Sequence, residues 1–146
     1  MTAMGRQIHD NLVAITSLVI ALTALGYNTW RNEVTERNRN IRVAGIEMLQ
    51  ELGSLQQLIF YIEYEEDDER RKLRADPRMG WADVITINDL ASVMPPAVTR
   101  DAANLRTVWE ADSGELAERK AGAFQRIDAA IDQVRQATLA SLRDLK

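Results

Sequence analysis

The chain has 146 residues and a formal net charge of −4, with 46% hydrophobic and 27% charged residues. An acidic chain lacks the basic face that phosphate binding needs, so no nucleic-acid partner is expected. It has no cysteine, which excludes disulfides, thiolate metal sites and cysteine nucleophiles.

Residues 1–10 form a short tail carrying Arg6, His9 and Asp10. The stretch that follows, NLVAITSLVIALTALGYNTW over residues 11–30, contains no charge. A helix rises ~1.5 Å per residue, so this run spans about 30 Å, the hydrocarbon thickness of a bilayer. It reads as one transmembrane helix. A buried core helix would show a polar face, whereas only Thr16, Ser17, Thr23 and Asn28 interrupt this run. Ser and Thr hydroxyls bond a carbonyl one turn back and are tolerated in lipid. A cleaved signal peptide is the competing reading, with Ala24-Leu25-Gly26 as its cleavage site, but the tail lacks a basic N-region. Tyr27, Trp30 and Arg31 suit the headgroup level, which makes membrane lipids the first expected partner.

Ala14, Ser17, Ala21 and Ala24 recur at steps of three, four and three, a stripe of small residues on one helix face. Such stripes let membrane helices approach closely, as a self-contact or on another protein. Chance alignment of common residues is the plain alternative. Orientation follows from flanking basic residues: Arg6 stands before the span, and Arg31, Arg37, Arg39 and Arg42 after it. The positive-inside rule then places the C-terminal part in the cytoplasm.

Residues 31–42, RNEVTERNRNIR, contain neither Pro nor Gly, so nothing stops the helix there. The segment SLVIALTALGYNTWRNEVTERNRNIR, residues 17–42, resembles the start of small, uncharacterised single-pass bacterial membrane proteins. The resemblance covers the anchor and juxtamembrane helix only. It implies a bacterial inner membrane and brings no catalytic or binding residues with it.

A heptad seam follows: Ile41, Gly45, Met48, Leu52, Leu55, Ile59 and Ile62, with Val34 one heptad earlier and Leu49 and Leu58 widening the stripe. It serves either the chain's own core or dimerisation. Gly45 and Gly53 weaken this helix by about 1 kcal/mol each and mark candidate close contacts. The acidic run Glu65 to Glu69 is followed by Arg70, Arg71 and Lys72. The pairs Glu66–Arg70, Asp67–Arg71 and Asp68–Lys72 fit a solvated helix end; a docking site for a basic partner is the alternative.

Pro77 and Gly80 make a turn. Trp81 to Met94 reads as a short helix; Val84-Ile85-Thr86-Ile87 also fits a strand, but no second strand is available to pair with it. Pro95-Pro96 opens a third soluble helix to Glu110, with Val98, Ala102, Leu105 and Val108 or Trp109 inward. Asp112-Ser113-Gly114-Glu115 resembles a capping box that would open the last helix, about 114–145. Its apolar face would be Leu116, Phe124, Ile127, Ile131, Val134, Thr138, Leu142 and Leu145. Trp81 and Trp109 are expected as anchors of a small core.

The expected fold class is all-α. One N-terminal transmembrane helix, residues 11–30, continues into a helical domain, residues 31–146, with helices at about 31–72, 81–94, 96–110 and 114–145. The domain has no histidine, no phosphate loop and no Glu-x-x-His pair. No enzyme activity, cofactor, metal or small-molecule substrate is therefore expected. The expected role is protein–protein interaction, as an accessory, scaffold or self-associating subunit. The alternatives are a sensory protein signalling through a continuous helix, or an extracytoplasmic helical domain.

Overall fold

A computed structural model describes residues 3–66, 68, 69 and 76–145, with side chains from Asn11 onward. Among the described residues every regular element is helical, as the sequence pattern requires. The helices are α1 (Ala3–Tyr64), α2 (Gly80–Ala91), α3 (Pro96–Ala117) and α4 (Ala123–Asp144). Two compact units divide the chain, Met1–Arg39 and Asn40–Lys146, and α1 contributes to both. In the first unit α1 is helical throughout, with neither proline nor a kink signal to interrupt it.

The second unit is a four-helix bundle built from the later part of α1 and from α2, α3 and α4. Ile41, Met48, Leu52, Leu55, Ile59 and Ile62 are buried in its core, and Gly45 with them. This part of α1 meets α4 in antiparallel register. Gly45 lies against Leu142, Met48 against Thr138, and Phe60 against Phe124. α3 pairs with α4 as a helical hairpin, and α2 packs on α3. Ile127, Ile131 and Val134 supply the α4 face, and Val98, Ala102, Leu105 and Trp109 the α3 face. Leu49, Leu58 and Trp81 are partly buried against this core, whereas Val34, in the first unit, is exposed.

The helix limits differ from the sequence expectation at three places. α1 ends at Tyr64 and does not run to 72. The Arg119 guanidinium takes the Ile62 and Glu65 carbonyls, acceptors left open at the end of the helix. The helix–strand ambiguity at Val84–Ile87 resolves to helix, and α2 ends at Ala91, whose carbonyl accepts from the Thr99 hydroxyl at 2.9 Å.

The third difference is larger. Asp112-Ser113-Gly114-Glu115 does not open the last helix; it lies inside α3, which continues to Ala117 with Leu116 buried. The stop comes later. Arg119 adopts a left-handed φ of 51°, its N–H reaches the Leu116 carbonyl at 3.0 Å, and the Lys120 N–H reaches that of Glu115 at 2.9 Å. This is the Schellman pattern, with an arginine where glycine is usual. Gly122, at φ 87°, then turns the chain into α4.

Candidate membrane segment and polar clusters

One helix among the described residues is long and apolar enough to cross a membrane, and none of its apolar window is buried. Ile15, Ile20 and Leu25 stand 62–65% exposed there. The Thr16, Thr23 and Thr29 hydroxyls donate to the Leu12, Val19 and Leu25 carbonyls at 2.8, 2.8 and 3.0 Å. Each of these three hydroxyls is thereby satisfied within the helix, the condition that a hydrocarbon environment imposes. Ala14, Ser17, Ala21 and Ala24 are all exposed. Tyr27 and Trp30 are exposed with ring centroids 6.0 Å apart, and Arg31 follows in the next turn. The side chain of His9 lies outside the described residues, as do Asp67, Arg70, Arg71 and Lys72 and so the ion pairs expected of them.

In the bundle the polar side chains gather into clusters that cross between helices. Arg126 of α4 donates to both Asp112 oxygens, at 3.0 and 2.7 Å, and to Glu115 at 2.8 Å. Asp112 is buried, and the hydrogen bonds from Arg126 hold its carboxyl below the usual carboxylate range. Gln56 of α1 links two residues of α4: its amide donates to Asp128 at 2.8 Å, and its oxygen accepts from Arg135 at 2.5 Å. Arg135 also donates to Asp132 at 2.7 Å. Asp83 of α2 faces Glu51 of α1. Burial, then the charge of Glu51, then a hydrogen bond with it push the Asp83 carboxyl up to about 6.

The Arg126 and Arg135 clusters neutralise partly buried carboxylates, whereas Asp83 and Glu51 bring two carboxyls together. No group of three or more His, Cys, Asp or Glu among the described residues is placed to hold a metal. An open groove of about 590 Å³ lies between the start of α3 and the end of α4, lined by Arg100, Asp101, Gln133 and Arg143 among others. A smaller one of about 250 Å³ beside Trp81 includes Asp76, Arg78 and Ser113. Arg78 closes on Asp76 at 2.5 Å across its rim.

Sequence reasoning missed the Arg119 cap, the Arg126–Asp112 pair and the Gln56 relay. Arg119 and Ile62 are 57 positions apart, and no local spacing rule joins them. Asp112 and Glu115 stand out in the sequence as the two ends of a capping box, but their donor, Arg126, sits on the next helix. No protein-family model, curated protein or solved structure matches the chain.

Proposed function

We propose that this is a single-pass membrane protein whose cytoplasmic helical domain works through protein–protein contact, as an accessory, scaffold or self-associating subunit. The observation that carries the reading is the uncharged apolar run of residues 11–30, every side chain of which is exposed among the described residues. A contiguous apolar surface of that size is unfavourable in water and favourable in lipid. Threonine hydroxyls turned onto their own helix fit the same solvent. The four arginines at 31, 37, 39 and 42 favour a cytoplasmic domain by the positive-inside rule. The resemblance to single-pass bacterial proteins makes the inner membrane the proposed site.

Non-catalytic action is proposed because four carboxylates of the bundle already hold a donor from the same chain. Asp112, Glu115, Asp128 and Asp132 each meet an arginine or an amide. A sensory role is the second reading, favoured by the lack of any break in α1 between Asn11 and Ile41.

The test is expression in a bacterium with C-terminal topology reporters, combined with alkaline carbonate extraction. A carbonate-resistant protein with an active cytoplasmic reporter is the expected result. Extraction into the soluble fraction would sink the anchor, and activity of a periplasm-only reporter would sink the orientation.

A further inference from the structure

The heptad seam Ile41–Ile62 is consumed by the chain's own core. The exposed side of α1 carries a second seam, which borders that core at Phe124. Val43, Ile46, Gln50, Gly53, Gln57, Phe60 and Tyr64 recur at steps of three and four, and all seven are exposed. Val43 and Ile46 are each 50% exposed, Phe60 43% and Tyr64 64%. Phe60 and Tyr64 rest one edge on Phe124, with centroids 5.2 and 5.4 Å away, and leave the other open. Nothing lies within 4 Å of where a Cβ on Gly53 would stand, so the middle of the seam is open to close approach by another backbone.

We propose that this seam is occupied by a second copy of the chain, packed in parallel along residues 42–64 of α1. The inference rests on the membrane-anchored reading for its direction, because two copies tethered by the same N-terminal span meet in parallel. Charge selects the occupant. With Val43, Gln50, Gln57 and Tyr64 at a and Ile46, Gly53 and Phe60 at d, Arg42 falls at g and Glu47 at e. In a parallel, in-register pair each g residue faces the e residue five positions further along the other helix. Arg42 of one copy therefore meets Glu47 of the other, twice by symmetry. Both side chains are exposed and stand ready for that contact. Gln50 and Gln57 at a positions fix the register at a cost in affinity, so the dimer is a reversible one.

The chain has no cysteine, so single-cysteine variants of the full protein report one position each. In native membranes under mild oxidation, Ile46→Cys and Gly53→Cys, at d positions, are expected to form disulfide-linked homodimers. Arg106→Cys, exposed on α3, is the collision control and is expected to form several-fold less. Adding Glu47→Arg to Ile46→Cys should lower the dimer yield several-fold, and adding Arg42→Glu to that pair should restore it. Equal crosslinking at residues 46 and 106, no restoration by the charge swap, or a crosslinked band containing a different protein overturns the proposal. Carbonate extraction of the same membranes separates the two readings. A retained chain that does not crosslink overturns the seam alone; a chain that is not retained overturns the anchor and the parallel register together.

Discussion

The indole of Trp109 lies on the backbone of Gly80. A Cβ at that glycine would stand 2.6 Å from the indole Cη2 and 2.9 Å from Leu55 Cδ1. The first residue of α2 is thereby clamped between α1 and α3, and Trp109 is fully buried. Gly80 serves close packing, where the sequence pattern of Pro77 and Gly80 indicates only a turn.

Gly80→Ala should therefore destabilise the bundle by about 1–3 kcal/mol through overpacking. Gly114→Ala, in the interior of α3 with nothing within 4 Å, should stabilise it by up to about 1 kcal/mol. Urea titration followed by circular dichroism, in a detergent that keeps the protein soluble, measures both. Opposite signs are expected. A neutral Gly80→Ala would show that the Trp109 contact is slack.

Arg119 ties the end of α1 to the α3–α4 turn by donating to the Ile62 carbonyl at 3.0 Å and to that of Glu65. Arg119→Ala should cost about 1.5–3 kcal/mol, the usual worth of a hydrogen bond involving a charged group. The effect should be local. Amide hydrogen exchange is expected to quicken at residues 61–66 while the amides of Leu52 and Leu55 stay protected.

The two perturbed carboxyls give opposite pH dependences. Asp83 goes from an ordinary 3.8 to about 6, chiefly through burial, so the folded state holds its proton longer than the unfolded chain. Its stabilising effect is complete below 3.8 and is lost as pH rises through about 6. Asp112 is lowered by Arg126, so its effect is present above 3.8 and is lost as pH falls through its depressed value. Asp83→Asn should flatten the decline in melting temperature between pH 3.8 and about 6. Arg126→Gln should lower the melting temperature at neutral pH and converge with the parent in acid. Thermal melts across pH check both, and a parallel offset at every pH would refute the assignment.

In the apolar span, Ile20→Arg puts a charge near the centre of residues 11–30, at an insertion cost of about 2.5–3.5 kcal/mol. A lower carbonate-resistant fraction is expected. Ala21→Leu leaves hydropathy intact but fills the small-residue stripe, so it should reduce association in a membrane dimerisation assay without releasing the chain from the membrane.

Much of the architecture was legible because it repeats. Every heptad position of α1 from Ile41 to Ile62 is buried, with Ala44 alone added beside them, and the buried positions of α3 and α4 follow the 3.6-residue period. Pro95 and Pro96 marked the start of α3 correctly, since proline's fixed φ belongs at the first helical position. The capping box at Asp112 failed for a physical reason. A carboxylate needs donors, and a sequence does not show whether they are the N–H groups of a helix start or a guanidinium from another helix. Here Arg126 supplies them, α3 continues, and the stop falls on Arg119, a residue with no turn signature of its own.

Chain order alone determined the helical class, the apolar span and the core face of each long helix, because burial follows local periodicity and local periodicity is written residue by residue. The tertiary structure decided which of two uses the Ile41–Ile62 seam has, why glycine stands at 45 and 80, and where α3 ends. Each of these depends on an atom brought from elsewhere in the chain: α4 covering the seam, Leu142 against Gly45, Trp109 against Gly80, and the Arg126 guanidinium on Asp112. Such contacts join positions far apart in sequence, where no spacing rule reaches.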